Sequence, residues 1–233
     1  MKTLLVINSS ARITRSITRH LTSRFADEWL LRHPEARVIT RDVGTAPTPM
    51  IDECWIAAAF TPPELRTAEM QAALELSDSL IDEIVEADAI ALGIPMYNFG
   101  MPGHLKVYLD QVVRVGRSFT FDAAASEPYT PLLQSKPVVV ITSAGDGALQ
   151  PGGPLAHLNF LDGHLETLLG FIGLTDLRFV RVGYDEYGDG RLKRSLAAAE
   201  TAVTEMVDRL SGGERSAVDA GAPAPLKGIT MAA

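Results

Sequence analysis

TLLVINSSARITRSITRHL, residues 3–21, reads as a strand, a polar loop and the opening of a helix. Apart from Thr3, the run 3–7 is apolar, as a strand covered on both faces must be. Ser16 stands where an N-cap belongs, just ahead of Ile17-Thr18-Arg19-His20-Leu21. A turn of this kind favours an anion, because the first N–H groups of a helix lack partners and its dipole is positive there. Phosphate loops are usually marked by glycine, yet residues 8–18 contain none. Hydroxyls at Ser10, Ser16 and Thr18 and charge at Arg12 and Arg15 stand in their place. On this stretch alone, a phosphate site and a plain serine-capped turn are both open readings.

Outward from this unit the same rhythm repeats. Strands are predicted at 3–7, 36–41, 89–94, 137–142 and 176–182, and helices at 16–32, 63–86, 102–115, 157–171 and 190–210. Leu74, Leu80, Ile81, Ile84 and Val85 give the second helix its apolar face. The alternation predicts an α/β fold: a doubly wound five-stranded parallel sheet, flavodoxin-like, with ligands beyond the strands' carboxyl ends. Residues 43–62, with Pro47, Pro49 and Pro62, form a surface excursion or a short helix. The division expected is one domain over 1–210 and a flexible Pro/Gly/Ala-rich tail over 211–233.

Composition narrows the class. With 46% hydrophobic and 21% charged residues in 233, the chain reads as an ordinary soluble protein. No apolar run approaches the roughly 20 residues that span a bilayer, and Lys2 precedes only a short apolar run, so no membrane partner or signal peptide is expected. Cys54 is the single cysteine, which fits a reducing, cytoplasmic location. A net charge of −8 argues against nucleic acid as a partner.

Three common occupants of such a sheet fail at the first strand end. Residues 8–18 supply no glycine for G-x-G-x-x-G, no G-x-x-x-x-G-K-[ST] string occurs, and Asn8, Ser9 and Ser10 stand where a receiver domain would place acids. A phosphate monoester held by hydroxyls and backbone N–H groups remains. At the third strand end, 95–106 reads PMYNFGMPGHLK, an irregular loop presenting an amide and two aromatics. It suits a flat heterocycle, or it is a rigid loop whose aromatics pack inward. Thr142-Ser143-Ala144-Gly145-Asp146-Gly147 ends the fourth strand, and its glycines let a backbone approach a ligand edge or simply mark a turn. His157, His164, Asp162 and Glu166 are placed on one helix, poorly spaced for a shared metal, so no metal is expected. Ser143 lacks a G-x-S-x-G elbow, and Asp82-Glu83, Glu86 and Asp88 read as a solvated helix face.

Taken together, N-S-S-A-R-x-x-x-S-x-T at 8–18, P-M-Y-N-F at 95–99, L-K-x-Y-x-D at 105–110, R-x-G-x-x-F at 114–119 and L-G-F-I-G-L-T-D at 169–176 resemble the FMN-dependent NADH:quinone oxidoreductases and azoreductases. The resemblance covers about residues 1–210. It implies FMN as cofactor, NADH or NADPH as donor, and ping-pong hydride transfer to a quinone or azo compound, with no side-chain acid required. It implies that Ser10, Ser16, Ile17 and Thr18 hold the FMN phosphate, that Met96, Tyr97, Asn98 and Phe99 line the ribityl chain and ring, and that Ser143, Ala144, Gly145 and Asp146 reach the pyrimidine edge. It also implies a homodimer, with Phe119, Phe121 or Phe171 walling the substrate slot. An electron carrier or redox-responsive interaction protein with little turnover is the alternative. Three features depart from the family pattern: Ala144 and Asp146 where S-R-G-G is common, a longer loop at 147–153, and Gly183-Tyr184-Asp185-Glu186 after the fifth strand. Asp146 is expected to disfavour negative charge on reduced flavin.

Overall fold

The computed structural model describes residues 1–212, so the tail expected over 211–233 lies, from 213 on, outside the described residues. Five parallel strands, β1 (Thr3–Asn8), β2 (Arg37–Asp42), β3 (Ala89–Pro95), β6 (Val138–Ser143) and β7 (Leu177–Val182), form one sheet in the order β2-β1-β3-β6-β7. Between β3 and β6 the chain makes a small antiparallel hairpin, β4 (Phe119–Phe121) and β5 (Tyr129–Pro131). The helices are α1 (Ile17–Arg32), α2 (Glu53–Phe60), α3 (Ala68–Glu86), α4 (Gly103–Val112), α5 (Phe160–Phe171) and α6 (Gly190–Ser211).

Period-two alternation builds the layers. Leu4, Val6, Ala89, Ala91, Val139 and Ile141 meet Leu21, Phe25 and Trp29 of α1 and Ala199, Val203 and Val207 of α6. Leu5, Ile7, Ile90, Leu92, Val138 and Val140 meet Leu80 and Ile84 of α3, Leu105 and Leu109 of α4, and Leu161 and Leu165 of α5. Each such valine, leucine, isoleucine or phenylalanine side chain contributes roughly 1.5–3 kcal/mol on full burial, so neither helix layer can be peeled off cheaply. Small residues on the first face let α1 lie close, and a Cβ on Gly93 would come 2.8 Å from Thr22 Cγ2.

Capping sets the helix ends. Thr67 accepts the Met70 N–H, so the helix expected over 63–86 splits into a 3-10 turn, Pro63–Leu65, and α3. Asn159 caps α5, which puts His157 in a separate 3-10 turn, Ala156–Leu158, rather than on one helix with His164. Asp52 caps α2, resolving 43–62 in favour of a short helix. The acidic run is not simply solvated. Arg117 pairs with Asp82, Arg41 with Glu83, and Arg37 with Glu86 at 2.5 Å, two of these ties fastening edge strand β2 to α3.

Beyond α4 the chain is pinned by Arg114, one of the largest fully buried side chains. Its guanidinium donates to Asp78 and, at 3.3 Å, to the Leu74 carbonyl, while its backbone N–H donates to Ser118 Oγ at 2.8 Å. Burial pushes its pKa down to about 10, still high enough to keep the charge at neutral pH.

Candidate functional site

The chain leaves β1 towards β2 on one side and leaves β3 towards β6 on the other, so the sheet's switch point falls between β1 and β3. Loops after β1, β3, β6 and β7 surround it. Two contiguous clefts open there: an inner one of ≈ 280 Å³ and an outer one of ≈ 260 Å³, sharing Met96, Asn98, Gly145 and Glu186.

The inner cleft ends at the start of α1. Ser16 Oγ accepts the Arg19 N–H at 3.3 Å and lies 3.3 Å from Thr18 Oγ1, and the N–H groups of Ile17 and Thr18 have no acceptor among the described residues. The loop is stiff without glycine because it is held from outside. Arg19 donates to the Ser10 carbonyl at 2.6 Å, to the Arg12 carbonyl at 2.8 Å, and to both oxygens of Asp42 at 2.6 and 2.7 Å. Partial burial raises the Asp42 pKa, but the bonds from Arg19 and Thr45 outweigh it and hold the carboxyl below its ordinary range. Gly44 lets the β2 loop touch this frame, since a Cβ there would stand 2.2 Å from the Ser10 carbonyl oxygen. The two arginines divide their work: Arg12 pairs with Asp185 at 3.0 Å, while Arg15 lines the cleft with no ion-pair partner among the described residues.

After β3 the chain turns back at once. Tyr97 and Gly100 exchange backbone hydrogen bonds of 3.0 Å, and Asn98 and Phe99 between them have φ of 47° and 71°. Both central residues in the left-handed region make a type I′-like turn, easy for asparagine and costly for phenylalanine. Strain of this kind gathers at ligand sites. Met96 N–H donates to the Ser143 carbonyl at 2.7 Å, and Tyr97 Oη accepts the Ala11 N–H at 3.3 Å, so the third loop is tied to both others.

The departures noted after β6 and β7 prove to be one structure. Asp185 N–H donates to the Ala144 carbonyl at 3.3 Å, and Glu186 N–H to the Gly145 carbonyl at 3.2 Å. A Cβ on Gly145 would lie 2.4 Å from Glu186 Cδ, and one on Gly147 2.3 Å from Tyr184 Cζ, so these bare backbones are what the β7 loop packs on. Asp146 accepts the Ala148 N–H and the Tyr187 hydroxyl, each at 2.9 Å. The backbone bond first, then the tyrosine, holds its carboxyl below the ordinary range and therefore ionised.

Ten of the twelve residues expected to bind cofactor line these clefts: Ser10, Ser16, Ile17, Met96, Tyr97, Asn98, Ser143 and Gly145 the inner, Phe99 and Asp146 the outer. Thr18 lies beneath Ser16, and Ala144 is turned away with its N–H on the Val182 carbonyl at 2.9 Å. Phe119, Phe121 and Phe171 line neither cleft. They cluster with Tyr129, Phe119 lying 4.8 Å and Tyr129 5.4 Å from Phe171 between ring centroids. Leu149 of the longer loop and Leu155 just beyond it line the outer cleft and were not anticipated, nor were the supporting roles of Arg19, Asp42 and Gly44.

Residues 2–206 match the family described as having a flavodoxin-like fold. The FMN-dependent NADH:quinone oxidoreductase of Opitutus terrae is 53% identical over 211 residues, spanning 91% of this chain and 99% of that protein. The FMN-dependent NADH:quinone oxidoreductase 2 of Trichormus variabilis is 44% identical over 208 residues, spanning 89% and 99%. The chain belongs to the flavodoxin-like family of FMN-dependent NADH:quinone oxidoreductases. An FMN-dependent NADH-azoreductase from Bacillus anthracis, solved in complex with FMN, shares the fold with a TM-score of 0.78 at 20% identity, covering 91% of this chain and 100% of that one.

The residues present fit the family's cofactor. Unpartnered N–H groups at Ile17 and Thr18, with Arg15 beside them, match a terminal phosphate. The N–H groups of Gly145 and Asp146 also lack acceptors among the described residues, and these two residues line the outer cleft together with Met96 and Asn98, as the polar edge of a flat ring requires.

Proposed function

We propose that this chain is an FMN-dependent oxidoreductase that takes a hydride from NADH or NADPH and delivers it to quinones and azo compounds. Bound FMN supplies the hydride chemistry. The observation that carries the reading is the pairing of a glycine-free phosphate corner at α1 with a strained Asn98-Phe99 turn and a donor-bearing edge at Gly145, all on one continuous cleft.

The chain's own part is to bind, orient and exclude. Ser10, Ser16 and the first turn of α1 hold the phosphate, Arg15 supplies countercharge, and Thr18 steadies Ser16 from below. Met96, Tyr97, Asn98 and Phe99 line the ribityl chain and ring, with Ser143, Gly145 and Asp146 at the pyrimidine edge and Ala144 fixing that loop to β7. No side-chain acid is assigned a proton. Donor and acceptor take the outer cleft in turn, so initial rates with NADH and a quinone give parallel double-reciprocal lines; intersecting lines contradict a shared slot.

A homodimer completes the reading. Phe99, at 47%, and Phe160, at 65%, are exposed on the cleft side, while Phe121 and Tyr129 are exposed at 52% and 53% on the hairpin. A second copy brings the cluster of Phe119, Phe121 and Phe171 against the first copy's cleft as the substrate wall. Sedimentation equilibrium is expected to give two chains per particle, and a monomer at working concentration contradicts this. No helix among the described residues is long and apolar enough to cross a membrane. Cytoplasmic location belongs to the same proposal, supported by the solitary Cys54, and cell fractionation tests it.

A further inference from the structure

We propose that Glu186 and Asp146 make the outer cleft discriminate against anionic electron acceptors, leaving uncharged quinones as its preferred class. The inference rests on the reductase reading and adds a selectivity to it. The two clefts differ in their balance of charge. Arg12 and Arg15 line the inner one together with Asp185 and the shared Glu186, whereas the outer is lined by apolar Met96, Phe99, Leu149 and Leu155, by the carboxylates of Asp146 and Glu186, and, among the described residues, by no lysine, arginine or histidine.

Neither carboxylate is neutralised in place. Asp146 is oriented by the Ala148 N–H and the Tyr187 hydroxyl, both uncharged donors. Glu186 makes no side-chain hydrogen bond or ion pair among the described residues, and its carboxylate and Cγ lie over the bare Cα of Gly145. The neighbouring cations are engaged elsewhere. Arg12 pairs with Asp185 at 3.0 Å, and Arg191 pairs with Asp189 at 2.9 Å while stacking on Tyr187 at 3.9 Å. The outer cleft therefore repels a sulfonate or carboxylate carried on the reacting ring of an acceptor, whereas the reacting ring of NADH is uncharged. Two charges several ångströms away in a half-open cleft amount to about a tenfold penalty on an anionic acceptor.

The test compares 1,4-naphthoquinone with its 2-sulfonate, using NADH and FMN-loaded protein. The reading is the ratio of kcat/KM for the parent to that for the sulfonate. The ratio is expected to fall about tenfold in the Glu186→Gln, Asp146→Asn double variant, which removes differences in intrinsic reactivity between the two quinones. In the wild type it is also expected to fall as salt rises, because the field is screened over about 10 Å at 0.1 M. The salt series needs no variant, so a double variant that fails to fold leaves the proposal exposed. A ratio unmoved by both salt and substitution overturns it. A protein that reduces neither quinone overturns the reductase reading instead.

Discussion

Ser16→Asp is expected to leave the apoprotein as stable as the wild type while weakening FMN binding by at least about 100-fold. Aspartate is as good an N-cap as serine, and its charge suits the positive end of α1. The bond that Ser16 Oγ accepts from the Arg19 N–H therefore survives in kind. The same carboxylate, placed beside the free N–H groups of Ile17 and Thr18, occupies the anion site and repels a phosphate carrying like charge. A serine present only to cap the helix would predict no change in either quantity. Thermal melts of the apoprotein and fluorescence titration with FMN separate the two roles. Unchanged affinity would return the loop to a plain capped turn.

Arg114→Ala carries the largest expected loss of stability, about 3 kcal/mol, or roughly 6–12 °C in melting temperature. The deletion empties one of the largest fully buried volumes and removes a second donor from the Leu74 carbonyl, which lies within α3. Asp78 is not stranded, since Arg117 still pairs with it, so the loss is mostly one of packing. Arg114→Met, which fills much of the volume without charge, should recover a good part of the loss. A shift below about 1 kcal/mol in the alanine variant, measured by denaturant titration, would show that R-x-G-x-x-F at 114–119 does not anchor the turn into the β4–β5 hairpin.

What could be read in advance follows from where the information lies. Continuous apolar runs such as Val138-Val139-Val140-Ile141 announce strands buried on both faces, and serine before Ile17 announces a helix start, so the layers and the capped start of α1 were legible. The hairpin was not, because Phe119–Phe121 and Tyr129–Pro131 are too short to show any period. Nor was the division of labour between Arg12 and Arg15, which depends on Asp185 arriving from the far edge of the sheet. Gly145 and Gly147 read as glycines of a ligand edge or of a turn, and only folding reveals Glu186 and Tyr184 lying on them. Helix boundaries shifted wherever a cap stood inside the apolar pattern, as Thr67 and Asn159 do. The aromatics Phe119, Phe121 and Phe171 meet through Tyr129, which no sequence pattern announced, and their place at a substrate slot is a proposal that a second chain must complete.

Anaerobic titration of the FMN-loaded protein with NADH, followed in the visible spectrum, tests the central claim most directly. The account predicts that stoichiometric FMN is retained, that NADH bleaches it, and that a neutral quinone restores it within the turnover time. Failure to retain FMN would contradict the cleft assignment. FMN that is held but reduced only sluggishly by either pyridine nucleotide would contradict the enzyme and leave a flavin-binding carrier.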